Sequence, residues 1–503
     1  MADLRVIVTG ASGFVGRHLL LAIPDRMRVY ALARRSPAIS EAPTRDTISW
    51  LQVDIANRVA VDAAFDRIRQ DGGADVLVHL AGHYDFTGER HPDYQAVNVD
   101  GMRHVLDATA RLGVATVVFT SSVAACQFPP ADRPLTEDSP PDGDTPYAES
   151  KRAGEEMLDD YRHAFRAIII RFAALFSDWC EYEPLFHFLE RWFARSTTRR
   201  VLAGCGLSAV PYLHIRDGVD LLLTTMFDPG RFAHGAILLG SPDGATTHRE
   251  LFEAATAAQF GQRARPLLVP RPVCRLGLGV RRLAGHVSGV QPFERSWMVR
   301  MIDRRLTVDA KQTRELAGWA PRARLGILRR MPFLVEHRKT YPAEWHRRNH
   351  AAMRRVRRHD NLRIHQLLEA RAEAICTKTT DRLLTGPRAG VFGAYHRFPS
   401  EVLRAQHQVR IEELMMAVRT AEKGIFFEAC RELAARWREH GLGPEDICAG
   451  LEALHDACLS ALCDDPKDAH WAGALRDHVS MTFQFGVDGV HEAFEQSTLP
   501  AGW

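Results

Sequence analysis

The chain opens on "LRVIVTGASGFVG", an apolar run that ends in glycines at Gly10, Gly13 and Gly16. Few backbones need that spacing. A strand that turns sharply into a helix needs one glycine for the turn and one to admit a close ligand. A third lets the helix pack closely on the strand. The helix that follows presents free N–H groups and partial positive charge, so the loop is built for an anion. Gly10, Ser12, Gly13, Phe14, Val15 and Gly16 are therefore expected to cradle a pyrophosphate. Apolar, β-branched runs recur beyond this loop. Strands are predicted at 5–9, 28–33, 48–53, 76–80, 116–121 and 167–171, with helices near 14–23, 60–70, 95–112 and 147–165. The runs are apolar throughout rather than alternating, as in a parallel sheet covered on both faces. The fold class that follows is α/β, a doubly wound parallel Rossmann sheet.

The end of the second strand selects between dinucleotides. An acid there suits the ribose 2′-hydroxyl of NAD; this chain has Arg34 and Arg35, which suit the 2′-phosphate of NADP. NADP is the expected cofactor, with NAD as the alternative.

A length of 503 residues exceeds one ordinary domain. Residues 1–335 are read as the Rossmann domain, with a smaller substrate-covering region mainly over 175–335. Residues 338–358 carry eight Lys/Arg against one acid, Glu344, and 336–359 is read as a basic linker. From 360 to 503 the pattern is that of an all-α helical bundle, a sensor or oligomerisation module. Phe426, Cys430, Leu433 and Trp437 keep a helical period, as do Ile447, Leu451, Leu454, Cys458 and Leu462, and Trp471, Leu475, Val479 and Phe483. The net charge of +3 implies no global field for nucleic acid or membrane, although the basic run leaves both contacts open. The nine cysteines form no C-x-x-C pair; free thiols, no metal site and a cytoplasmic location are expected. His455 and Cys458, three apart on one helix, are read as core rather than ligands.

"YAESK" places Tyr147 and Lys151 on one face of a helix start. The pair alone occurs by chance, but it closes a series: "TGASGFVG", "VDI" (53–55), "HLAG" (79–82), "VNVDG" (97–101), "FTSS" (119–122), "YAESK". In this order the motifs resemble the extended short-chain dehydrogenase/reductases, the NAD-dependent epimerase/dehydratase family, over about residues 1–335. The resemblance implies a catalytic set of Ser122, Tyr147 and Lys151, with Ser121 as the alternative serine. Tyr147 would donate or accept the proton, Ser122 would hold the substrate oxygen, and Lys151 would lower the phenol pKa and touch the nicotinamide ribose. It also implies that Asp54 and Ile55 lie by the adenine, and Leu80, Ala81 and Gly82 beside the cofactor.

His83, Tyr84, Ser122 and Phe176 are the expected substrate contacts. Sugar-nucleotide members of the family carry an "R-x-F-N-x-Y-G-P"-like run where this chain has "RFAALFSDW" (171–179), and the "FTSS" form is similar to the steroid-dehydrogenase and flavonoid-reductase branches. The reading is an NADP-dependent oxidoreductase acting on the ketone or alcohol of a small or lipophilic metabolite, working as a homodimer. The alternatives are a sugar-nucleotide epimerase or dehydratase, and a non-catalytic NADP-sensing regulator. Residues 360–503 weakly resemble the helical sensor domains of bacterial stress-signalling proteins.

Overall fold

The computed structural model describes residues 4–130, 133–288, 293–357, 359–385, 389–420, 422–463 and 476–495. Two compact units divide the chain, 1–356 and 357–503.

In the first unit the strands are β1 (Arg5–Thr9), β2 (Arg28–Ala33), β3 (Ile48–Gln52), β4 (Val76–His79), β5 (Thr116–Ser122), β6 (Arg166–Phe172) and β7 (Ala236–Gly240). They form one parallel sheet in the order β7-β6-β5-β4-β1-β2-β3. This is a doubly wound sheet whose order reverses between β1 and β4, where such folds open a crevice at the carboxyl ends of the strands. The helices α1 (Phe14–Ala22), α2 (Arg58–Gln70), α3 (Tyr94–Leu112, π-helical as far as Gly101) and α4 (Pro146–Met157) follow their strands. Buried apolar residues lie on both faces: Val6, Val8, Leu19, Ile168 and Leu222 in one layer, Ile7, Phe65, Val105, Val117 and Ile169 in the other. Alternate residues of a strand thus enter opposite cores, and this is why the strands read as unbroken apolar runs.

Ala236–Gly240 falls within the region assigned from sequence to the substrate cover. It belongs instead to the main sheet, paired with β6 from Ala236–Ile168 to Gly240–Phe172. A further helix, α6 (Ile215–Phe227), packs on the main sheet's face through Ile215, Val219 and Leu222, and the covering region itself centres on α5 (Glu183–Phe193) and α7 (His248–Phe260). Its separate core includes Phe176, Leu185, Trp192, Phe252 and Met331.

The basic run is not a linker. It lies in α8 (Ile327–Thr340) and α9 (Pro342–Arg357), and as far as Val356 it belongs to the first unit. Arg338 Nε donates to Glu190 Oε1 at 2.7 Å, and fully buried Trp345 donates to the same oxygen at 3.2 Å. Arg347 pairs with Glu344 at 2.6 Å, and Arg348 lies 4.8 Å from the Trp179 ring centroid. Arg338, Arg347 and Arg348 thus serve intramolecular contacts; Arg358 and the side chains of Arg354, Arg355 and Arg357 lie outside what the structure describes.

The second unit is helical: α10 (His359–Leu384), α11 (Ser400–Thr420), α12 (Lys423–Glu439), α13 (Pro444–Cys463) and α14 (Met481–Glu495). Phe426, Cys430, Leu433, Ile447, Leu451, Leu454, Cys458, Leu462, Val479 and Phe483 are all buried in one core, with Trp437 packed against it. Trp471 and Leu475 lie outside the described residues. A Cβ added at Gly489 would stand 2.4 Å from the Phe427 carbonyl oxygen, so α14 crosses α12 nearly backbone to backbone.

Candidate active site

The glycine turn is where the sequence places it. Gly10 has φ +68°, and a Cβ there would lie 2.7 Å from the Ala81 nitrogen; one at Gly16 would lie 2.5 Å from the Gly10 carbonyl oxygen. Any side chain at position 10 would therefore collide with the backbone of the β4 exit. Gly13 is the N-cap of α1, with no side chain of its own to satisfy the first turn, so those N–H groups suit an outside anion. The β4 exit is tied down by Thr9, whose hydroxyl accepts the Ala81 N–H at 3.3 Å.

Arg35 Nη2 donates to the Ser12 carbonyl at 2.7 Å, bringing a guanidinium from the end of β2 to the glycine turn. The Arg34 carbonyl accepts from Gln52 at 2.7 Å. Asp54 is buried past the end of β3, where its Oδ1 accepts the Ala56 N–H at 3.1 Å. Ile55 is buried too and packs beside Gly101. The turn and its surroundings fit a dinucleotide: a cradle closed to any Cβ, an uncapped helix end and a cation at the second strand.

Tyr147 and Lys151 stand on the first turns of α4. Thr145 caps that helix, accepting the Ala148 N–H at 3.1 Å, and Pro146 occupies its first position. Gly154 lets α4 lie against β5, since a Cβ there would meet the Phe119 ring at 2.8 Å. The Ser122 hydroxyl lies near enough to the Tyr147 phenol to counter part of the burial effect on it. Lys151 Nζ donates to the Thr120 carbonyl at 2.8 Å and sits 5.8 Å from the Tyr147 ring centroid. Hydroxyl, phenol and ammonium thus converge at the carboxyl end of β5.

The two serines divide their labour. Ser121 turns to the other side of the strand and donates to Glu155 Oε1 at 2.5 Å. Glu155 also holds Arg171 through a bidentate pair, Nε–Oε1 2.9 Å and Nη2–Oε2 2.7 Å. This buried pair brackets the tyrosine helix and is not singled out by the sequence reading; its signal is the Lys151–Glu155 spacing of one helical turn.

Burial dominates the charge states. It pushes the Tyr147 phenol up to about 12, with the Ser122 hydroxyl acting the other way. The expectation that Lys151 would lower this pKa is not met in the chain alone. Burial also lowers Lys151 to about 8, partly offset by the Glu155 carboxylate. The site below pH 8 therefore holds a neutral phenol beside an ammonium; above it the ammonium is lost while the phenol persists. Since kcat/KM reports groups of the free enzyme, kcat/KM for the dinucleotide is expected to hold level from pH 6 to about 8 and to fall above it, by up to about tenfold per unit. Lys151→Arg should remove that alkaline limb. A profile level to pH 10 in the wild type would contradict the assignment.

The expected substrate contacts separate. Tyr84 is exposed, and its ring lies 4.3 Å from that of Tyr147, so it borders the reactive group. His83 does not share that space: its ring is enclosed by Asp85, Asp93, His91 and Tyr94. Phe176 is fully buried in the covering region's core, because the short strand Ala174–Phe176 pairs with Tyr212–His214 and turns it inward. Asn98, from "VNVDG", takes a positioning part. Its Oδ1 accepts the His83 N–H at 2.6 Å, and its Nδ2 donates to the His83 carbonyl and Ser150 Oγ, both at 2.9 Å. It thereby joins the β4 exit to the tyrosine helix.

The run "RFAALFSDW" has a structural use. Asp178 accepts from Arg330 at 2.7 Å and faces His214 at 3.3 Å. Burial alone would raise its carboxyl, but these hydrogen bonds prevail and hold it at about 2. Asn349 Nδ2 donates to the Trp179 carbonyl at 2.7 Å. Asp178 and Trp179 thus anchor α8 and α9.

Residues 6–238 match the model of the NAD dependent epimerase/dehydratase family. A UDP-glucose 4-epimerase of Azospirillum brasilense is 31% identical over 179 residues, 34% of this chain and 49% of that protein. A 3 beta-hydroxysteroid dehydrogenase/Delta 5→4-isomerase of Mycobacterium tuberculosis is 35% identical over 118 residues, 24% of this chain and 31% of that protein. The chain spans about half the length, or less, of these curated relatives. The structure of a Thermus thermophilus UDP-glucose 4-epimerase complex with NAD aligns with a TM-score of 0.51 at 19% identity, covering 67% of this chain and all of that one. That likeness is one of fold.

Proposed function

Over residues 6–238 this chain is a member of the NAD dependent epimerase/dehydratase family, and we propose that its first unit is a nicotinamide-dinucleotide oxidoreductase that reduces a carbonyl or oxidises the matching alcohol. The observation that carries this reading is the convergence of Ser122, Tyr147 and Lys151 at the sheet edge, beside a glycine turn whose backbone admits no side chain at Gly10 or Gly16. Gly10, Ser12, Gly13, Phe14, Val15 and Gly16 would hold the pyrophosphate, with Asp54 and Ile55 at the adenine and Leu80, Ala81 and Gly82 along the nicotinamide half. When bound, the dinucleotide supplies or takes the hydride.

The chain's own groups handle the proton. Ser122 holds the substrate oxygen against the Tyr147 hydroxyl. The phenol, protonated at neutral pH in the chain alone, gives its proton to that oxygen as the carbonyl becomes an alcohol. The Lys151 ammonium stabilises the phenolate left behind until water returns the proton. Oxidation runs the same transfers backwards and needs the phenolate first. Tyr84, its ring 4.3 Å from that of Tyr147, would offer an aromatic face beside the phenol, which suits an apolar or ring-shaped substrate. We assign NADP as the preferred form, on Arg34 and Arg35.

The cofactor assignment is tested by affinity. Wild type is expected to bind NADPH roughly 10–100-fold more tightly than NADH, as a charge-assisted phosphate contact allows, with Arg34→Asp and Arg35→Asp each eroding that margin. Equal affinities, unchanged by Arg34→Asp, would remove the NADP assignment.

The reaction is tested by incubation with ketone and UDP-sugar panels. Net, stoichiometric consumption of NADPH by a ketone supports the oxidoreductase. Interconversion of UDP-sugars without net cofactor consumption supports the second reading, a sugar-nucleotide epimerase, which the likeness to the Azospirillum enzyme favours. Tight NADPH binding with neither outcome would leave the non-catalytic sensor.

A further inference from the structure

Beside the candidate active site, the segment from the β4 exit to the start of α3 gathers donors that the reaction does not use. His83 Nδ1 lies 3.7 Å from Asp93 Oδ2, and its ring stacks on that of His91 with centroids 4.6 Å apart. One ligand atom from each of His83, His91 and Asp93 can be chosen so that all lie within 4.8 Å of one another. Around a tetrahedral zinc, bonds of about 2.0–2.2 Å put donors ~3.4 Å apart. The His83–Asp93 spacing of 3.7 Å is already near that value.

A second, independent feature points the same way. Metal-bound histidines generally donate their other ring N–H to a carboxylate, which sets tautomer and orientation. Here Asp85 stands 3.3 Å from His83 Nε2 through Oδ2. Its Oδ1 is taken by the Thr87 N–H at 3.0 Å and the Thr87 hydroxyl at 2.6 Å. The Nε2–H tautomer of His83, oriented by Asp85, would present its Nδ1 lone pair toward the buried Asp93 carboxylate, and an ion there would be held by both. Two imidazoles with one carboxylate is a donor set for zinc or a similar first-row ion, rather than magnesium or calcium.

We propose that His83, His91 and Asp93 bind one divalent transition-metal ion of the zinc class, with Asp85 orienting His83. The ion would clasp residue 83 to residues 91–93. Tyr84 lies within that clasp, 4.3 Å from the Tyr147 ring, so the metal would shape the substrate face without entering the chemistry.

The test uses the full chain, freed of any affinity tag and stripped with a chelator. It is titrated with Co2+ while visible absorption is followed, and then with Zn2+ in competition. One equivalent per chain is expected in the wild type, with zinc raising its melting temperature. His91→Ala, at a half-buried position that the fold tolerates best, should weaken binding roughly a hundredfold or more and abolish the thermal shift. Asp85→Asn should cost about 10–100-fold. Circular dichroism of the metal-free His91→Ala protein, matching wild type, separates ligand loss from misfolding. Wild-type protein that takes up neither ion, or a folded His91→Ala protein that binds as tightly as wild type, overturns the proposal.

Discussion

Tyr147→Phe is expected to lower turnover by roughly 10²–10⁴-fold, the usual worth of a positioned acid or base, with dinucleotide affinity and melting temperature nearly unchanged. The substitution removes one oxygen and keeps the ring. The ring packs against Tyr84 at 4.3 Å and near Tyr94 at 6.4 Å, so the aromatic wall survives. What is lost is the hydroxyl beside Ser122. Because burial keeps that hydroxyl protonated up to about 12 in the chain alone, the loss should be felt most directly in reduction, where the phenol gives its proton. Steady-state rates with the best ketone of the panel, beside NADPH titration by fluorescence, provide the measurement. An unimpaired rate would remove Tyr147 from the chemistry. A rate lost together with dinucleotide affinity would make it a structural residue.

Most of what this prediction needs is legible in the sequence, for physical reasons. A parallel strand buried on both faces must be apolar throughout, so Arg5–Thr9 through Arg166–Phe172 stand out as runs. A strand-to-helix turn that admits no Cβ must be glycine, so Gly10 and Gly16 mark the crevice. A helix start needs a cap, and Thr145-Pro146 supplies one just before Tyr147. What is not legible depends on pairing between distant segments. The basic run has the look of a linker because Glu190, which neutralises Arg338, lies far upstream. Ala236–Gly240 could be a strand of any sheet until β6 is seen to take it as an edge partner. Their places after strands suggest that Phe176 and His83 face substrate, but the direction a side chain takes is set by local pairing. Phe176 turns into a core, and His83 into a ring of carboxylates and aromatics.

The second large effect concerns the buried pair beneath the tyrosine helix. Glu155→Ala is expected to destabilise the first unit by roughly 3–5 kcal/mol, the cost of leaving one member of a buried ion pair without the other. Arg171 is 1% exposed and its charge cannot reach water, and Ser121 loses its acceptor in the same step. At about 1–2 °C per kcal/mol for a unit of this size, the melting temperature should fall by about 3–10 °C. Activity should fall as well, because Glu155 stands one turn beyond Lys151 and its carboxylate supports the ammonium. Removing it lowers the Lys151 pKa further, so the alkaline limb of the rate profile should move to lower pH. A destabilised but otherwise intact site would not produce that shift. The double variant Glu155→Met/Arg171→Met separates the two contributions. Apolar side chains of similar volume can replace a buried pair at little cost, so the double variant should regain most of the lost stability. The rate profile should stay displaced, since the carboxylate beside Lys151 is still missing. Equal melting temperatures for the single and double variants would mean that Arg171 finds other compensation, from the Ser139 carbonyl that it already reaches at 2.5 Å, and that the pair does not brace the helix.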